Sequence, residues 1–256
     1  MHSKITLLTV LLLIIGGLSA IALSQGLTGD QVLDNVAESV DASSAKIELS
    51  MTLYSKSGST RDRSLNVYMK EQGHTSKAFM RFTAPADVEG TAFLSLDENG
   101  SEEMYLYMPV LGSVRKIAGS QKNGSFVGTD FTYNDLSILG GERYSDDYSP
   151  DITEHSNGEY VLNLTPENED IEYTSAKMWV PSDIWFPTKI EFYIDGKLQK
   201  VLTNENLEQI NNYWTAKKIT MKNVVKGTKT VLTLANIEYD IPIEDMIFTT
   251  RYMRRQ

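Results

Sequence analysis

Ser113-Val-Arg-Lys116 has the Ser-x-x-Lys spacing that sets a nucleophilic hydroxyl beside a lysine in serine acyl enzymes. Neither a Ser-Asp-Asn nor a Lys-Thr-Gly partner motif follows it, so the match reads as coincidence. His74 and His155 stand among Gly, Ser, Asn and Glu without a second His or Cys at ligand spacing. They read as solvated loop histidines rather than as a zinc site or a proton relay. Asp146-Asp147 with Asp151 offers carboxylate oxygens to a calcium ion but lacks the glycine-centred spacing of a dedicated loop, and reads as a solvated acidic turn. Gly-x-Ser-x-Gly, the phosphate-binding loop and the dinucleotide glycine fingerprint are all absent. With no nucleophile, base or ligand set assembled, the sequence predicts a protein that is not an enzyme and needs neither cofactor nor metal.

The remaining chemistry is apolar. Met51, Met69, Met80, Met104, Met108, Met178 and Met221 all fall in predicted strands. A thioether fills irregular space, so such a set serves either as ordinary core or as the wall of a cavity for variable apolar ligands. Three Asn-x-Ser/Thr sequences, at Asn99, Asn123 and Asn163, matter only in a host that glycosylates exported proteins.

The elements that must position these residues follow from periodicity. Thr28, with Gln31 three residues on, caps a helix whose Val32, Leu33, Val36 and Val40 recur at helical spacing. Beyond it the period changes to two. Ile47, Leu49, Met51 and Leu53 share one face of a strand; Leu65, Val67 and Met69 share a face of the next. Ala78, Met80 and Phe82, then Ala92, Leu94 and Leu96, then Met104, Leu106 and Met108 continue an antiparallel meander. Strands resume at 159–164, 176–180, 189–194, 198–203, 214–225 and 230–239, with Asp195-Gly196 as the tightest hairpin turn. Between the two runs, Arg115 to Leu136 packs turn, aromatic and charged residues closely and ends in a short helix capped by Thr132. So many strands with an amphipathic helix predict an α+β, mainly β fold: a strongly curved antiparallel sheet forming a half-barrel, with helices covering its concave face.

The first 24 residues have a basic start at Lys4, an apolar run, Gly16-Gly17 and small residues at Ala20, Ala22 and Ser24, the layout of a signal peptide. Cleavage after Ala22 or after Ser24 both satisfy the small-x-small rule, and an uncleaved anchor is the alternative. Residues 25–256 then form one domain, exported and extracytoplasmic. The chain has no cysteine, which leaves no disulfide framework and no site for lipid attachment. A net charge of −10 opposes binding to nucleic acid or to an anionic membrane surface.

Three blocks give the chain a family likeness: Arg81-Phe-Thr-Ala-Pro-Ala-Asp-Val-Glu-Gly-Thr-Ala-Phe-Leu94, Tyr105-Leu-Tyr-Met-Pro-Val-Leu-Gly-Ser-Val-Arg-Lys-Ile117, and Phe126-Val-Gly-Thr-Asp-Phe-Thr-Tyr-Asn-Asp-Leu136. With the ending Ile241 to Met253, they resemble the LolA-like family of outer-membrane lipoprotein-sorting proteins. The resemblance implies a monomeric periplasmic carrier that holds acyl chains in a hydrophobic half-barrel cavity. Its partners would be a lipid or lipid-modified protein and a membrane transporter or exporter. An envelope sensor or accessory protein that binds lipid or peptide without sorting lipoproteins is the alternative reading. Ile47, Leu49, Met51, Val67, Met69, Met80, Leu94, Leu106 and Met108 are the expected cavity residues. Arg81, by its likeness to the family's lid-holding arginine, and Phe126, Gly128, Thr129, Asp130, Phe131 and Tyr133 are the expected lid and hinge.

Overall fold

A computed structural model describes residues 26–139 and 144–255; the expected signal peptide lies outside the described residues. Helix α1 (Gly29–Ser39) begins at the expected cap. The Thr28 hydroxyl accepts from Gln31 N at 3.3 Å, while Thr28 N donates to Gln31 Oε1 at 2.9 Å. Its buried stripe is Val32, Leu33 and Val36.

All thirteen described strands belong to one antiparallel sheet. One meander consists of β1 (Ser44–Tyr54), β2 (Thr60–Gln72), β3 (Thr75–Ala84), β4 (Ala92–Glu98), β5 (Ser101–Met108) and β6 (Ser113–Ile117). The other consists of β7 (Tyr148–Ser156), β8 (Glu159–Pro166), β9 (Ser175–Pro181), β10 (Lys189–Ile194), β11 (Lys197–Ile210), β12 (Tyr213–Asn223) and β13 (Thr228–Tyr239). They join where β1 pairs with β13, so β6 and β7 form the two outer edges. Each pairing rotates a strand by roughly 20–25°, so a row this long curls through most of a turn without its edges meeting. Asp195 (φ 49°) and Gly196 (φ 73°) make the left-handed two-residue turn that the sequence predicts between β10 and β11. The short strands β6 and β7 are not foreseen in the sequence; β7 contains Asp151 of the expected acidic turn.

Two short helices, α2 (Tyr133–Leu139) and α3 (Tyr144–Asp147), fall between β6 and β7 in the chain. Thr132 caps α2: its hydroxyl accepts from Asp135 N at 3.0 Å, and Thr132 N donates to the Asp135 carboxylate at 2.7 Å. α1 packs against β7 and α3, and a Cβ at Gly29 would lie 2.5 Å from Pro150 O, so the close approach of helix to strand requires glycine.

The sheet buries apolar side chains on both faces. The inner cluster joins α1 to Ile47, Met51, Val67, Met80, Phe93, Leu106, Phe192, Leu202 and Leu232, among others. A separate outer cluster holds Phe79, Ala92 and Leu94 under the C-terminal residues Ile243, Phe248 and Met253. Leu94 is therefore not on the face assigned to it from sequence. Strand β4 is buried on both sides, because the C-terminal segment covers its outer face, and Phe93 is the residue that points inward.

Candidate functional site

The segment from the end of β6 to α2 crosses the concave face and closes on itself there. Phe126 N donates to Phe131 O at 2.8 Å and Thr129 N to Phe126 O at 2.9 Å, with a bridge between Ser125 and Thr132 below them. The tip turns through two consecutive left-handed residues, Val127 (φ 47°) and Gly128 (φ 76°). Valine there costs about 1–2 kcal/mol, a strain that the anchoring contacts must hold. A Cβ on Gly128 would meet nothing within 4 Å, so its glycine answers a backbone need and not a lack of room.

The loop directs aromatic rings into the sheet. Phe126 lies 5.8 Å from Phe82 and 5.5 Å from Phe93 between ring centroids, and Tyr133 lies 5.7 Å from both Phe93 and Phe126. Phe126 and Phe131 are almost wholly buried. Such tilted and edge-on pairs add about 0.5–1.5 kcal/mol each beyond the area they bury.

Three polar anchors tie the loop to separate strands. The buried Arg63 of β2 donates from Nη1 to Val127 O at 2.6 Å, with its guanidinium 5.7 Å from the centre of the Phe82 ring. Burial pushes this guanidinium below its ordinary pKa, and Arg61 adds to the effect. Asp130 faces β13: its carboxylate accepts from Thr230 Oγ1 at 2.9 Å and from Thr228 Oγ1, and its N–H donates to Thr230 Oγ1 at 3.0 Å. Asp135, 1% exposed, accepts from Lys200 Nζ at 2.8 Å and from the Tyr173 hydroxyl at 2.9 Å. Burial raises the Tyr173 phenol, and the Asp135 charge raises it further, so it remains a neutral donor at ordinary pH. Asn134 and Asn123 extend the attachment to Asp170 O at 3.0 and 2.9 Å.

Against this geometry the expected residues fall into groups. Ile47, Met51, Val67, Met80 and Leu106 are buried in the inner cluster, with Leu49, Met69 and Met108 partly buried against it. Phe126, Phe131 and Tyr133 lie over the same cluster, with Thr129 buried beside them. Arg81 does not touch this loop. It points to the outer face, where Nη2 donates to Tyr252 O at 2.7 Å, Nη1 donates to Arg255 O, and the guanidinium rests near the Phe79 and Tyr252 rings. Its partners are backbone carbonyls of the C-terminal segment. The arginine that holds the loop is Arg63, which the sequence reading misses although Arg63, Leu65, Val67 and Met69 share one strand parity. Lys200 is missed in the same way between Leu198 and Leu202.

An apolar pocket of about 140 Å³ lies beneath α1, lined by Val36, Val40, Ile47, Met69, Leu202, Trp214 and Leu234 among others. Sites for drug-sized ligands occupy about 300–1,000 Å³, so this space takes a short apolar group, and a long chain needs the loop or the helix to withdraw. A polar cavity of about 850 Å³ lies between the β2–β3 and β4–β5 turns and the segment 168–173, with His74, Asp97, Glu102, Lys122, Asp170 and Tyr173 on its walls. Lys122 and Glu102 pair there at 2.9 Å, and among the described residues no cluster of His, Cys, Asp or Glu could hold a metal ion.

The geometry has counterparts in solved structures. A family model described as an uncharacterized protein matches residues 74–255. The chain is similar to a DUF1329 family protein from Desulfovibrio piger, with a TM-score of 0.81 and 25% identity over 88% of this chain and 97% of that one. It is similar to a structure described as an outer membrane lipoprotein-sorting protein domain from Vibrio parahaemolyticus, with a TM-score of 0.80 and 28% identity over 89% of this chain and 98% of that one. A LolA superfamily protein from Nitrosomonas europaea shares the fold, with a TM-score of 0.71 and 22% identity over 89% of this chain and all (100%) of that one. No curated protein matches the chain.

Proposed function

Since this chain belongs to the family of uncharacterized proteins whose model matches residues 74–255, and is similar to structures of lipoprotein-sorting, LolA-like proteins, we propose that it is an extracytoplasmic, non-enzymatic carrier of a lipid or lipid-modified protein. The acyl chain lies on the concave face, against Met51, Val67, Met80 and Leu106, in the place that Phe126, Phe131 and Tyr133 occupy in the closed state. A membrane transporter or exporter loads or unloads it.

One observation carries this reading. The apolar concave face is covered by a loop that combines a strained tip with separable polar anchors, Arg63 to Val127 and Asp130 to β13. A fixed core has no need of this arrangement; a lid that swings aside does. The physical requirement is modest: burial contributes about 0.8 kcal/mol per CH₂, so a dry groove holds an acyl chain with no reactive group. The Vibrio relative is described as a lipoprotein-sorting domain, which accords with such cargo.

The test uses Trp214, which lines the apolar pocket. Titration of the purified chain with a brominated fatty acid should quench tryptophan emission to saturation, and Trp214→Phe should remove most of that quenching. Absence of saturable quenching, together with no co-purifying lipid by mass spectrometry, would refute the carrier reading.

A further inference from the structure

The turn between β12 and β13 exposes two large apolar side chains side by side, Val224 (41%) and Val225 (68%). Cations surround them. Lys222, Lys226 and Lys229 belong to the same hairpin, and Lys222 and Lys229 stand directly opposite each other across the strand pair, an arrangement that repels itself. The neighbouring β1–β2 turn adds Lys56, whose stem runs beside Gly227, and Arg61. Most lysines elsewhere on the sheet are paired with carboxylates, as Lys46 is with Glu238 at 2.8 Å and Lys218 with Glu205 at 3.0 Å, whereas Lys177 lies over the Trp179 ring. Among the described residues, Lys56, Lys222, Lys226 and Lys229 make no ion pair. Of the carboxylates around this corner, Asp62 accepts from Thr52 Oγ1, Asp130 is held by Thr228 and Thr230, and Glu172 feels Lys226 together with the buried Lys200. In a chain of net charge −10, this corner has a local excess of positive charge around exposed valines.

We propose that the β12–β13 tip docks the protein on an anionic lipid bilayer, with Val224 and Val225 entering the interface and the lysines meeting lipid phosphates. Apolar side chains flanked by cations are what an anionic membrane surface binds, by insertion and by charge together. The other exposed apolar tip, Val110 and Leu111, lacks that ring of charge. It lies beside the β3–β4 loop with Asp87 and Glu89, since a Cβ at Gly90 would be 3.0 Å from Pro109. The docking site is also linked to the loop on the concave face. Thr228 and Thr230, which hold Asp130, follow the tip directly in β13, so contact with a membrane acts on an anchor of the lid.

The test is flotation of the full chain with phosphatidylglycerol or phosphatidylcholine vesicles, comparing variants that share any contribution from residues 1–24. Wild type should float with phosphatidylglycerol in preference to phosphatidylcholine, and less so as salt rises. A cation near such a surface contributes roughly fivefold, so the Lys222→Gln, Lys226→Gln double variant should bind roughly 25-fold more weakly. Val225→Asp should lose binding too, and Val110→Asp should match wild type. Equal flotation with both lipids, tip variants that bind like wild type, or a preference for a soluble polyanion such as heparin over the vesicles would each overturn the proposal.

Discussion

Replacing Arg63 with methionine removes the anchor at the strained tip while keeping an apolar stem on the sheet. The guanidinium donates a 2.6 Å hydrogen bond to Val127 O and lies 5.7 Å from the Phe82 ring. A bond from a charged donor is worth about 1.5–3 kcal/mol and the ring contact about 0.5–1 kcal/mol. Relief of the buried charge offsets part of this, leaving about 2 kcal/mol for holding the loop down. The loop should then open about 30 times more often, by the rule of about 1.4 kcal/mol per factor of ten. Hydrogen exchange reads this directly. The Phe126 and Thr129 amides, bonded to Phe131 O and Phe126 O, should lose protection by about that factor, while amides of β8 to β10 keep theirs. Unchanged protection in the loop, or an equal loss across the whole sheet, would show that Arg63 is not a lid anchor.

Lys200→Met leaves the Asp135 carboxylate buried without its cation; we expect a loss of about 3–5 kcal/mol, visible as a melting point lower by roughly 6–20 °C. Gly128→Ala and Gly128→Val should each cost about 1–2 kcal/mol in chemical denaturation, and to a similar degree, because the position is restricted by its φ and not by its neighbours. A much larger loss for valine would indicate a clash instead. Asp245 is held below the ordinary carboxylate value by hydrogen bonds from Lys70 and Lys77. A lowered folded value means that its contribution to seating the C-terminal segment is complete above the ordinary aspartate range, near pH 4, and is lost as the pH falls through the lowered value. Limited proteolysis after Asp245 should therefore accelerate below about pH 4, and Asp245→Asn should remove that step.

The local fold was legible because local rules set it. The Thr28 capping box, the left-handed Asp195-Gly196 turn and the alternation in β1, β2, β3 and β5 each depend on residues near in sequence. The pairing of β1 with β13 joins residues far apart in the chain, and no short pattern encodes it. Face assignment failed at Leu94 for a specific reason: alternation separates inside from outside only when one face is wet, and the C-terminal segment buries the outer face of β4. That segment also explains Arg81. A half-buried arginine needs carbonyl acceptors, which sequence can foresee, but which segment supplies them is a matter of tertiary structure. The overlooked anchors Arg63 and Lys200 were visible as charges on apolar strand faces, where a charged side chain persists only with a partner.

Photo-crosslinking with a diazirine-bearing palmitate, followed by peptide mapping, tests most directly whether the concave face holds an acyl chain. The account predicts adducts on the strands carrying Met51, Val67, Met80 and Leu106, competed by unlabelled fatty acid and increased by Arg63→Met. Adducts confined to the outer-face segment 241–255, or labelling that unlabelled fatty acid does not compete, would contradict it.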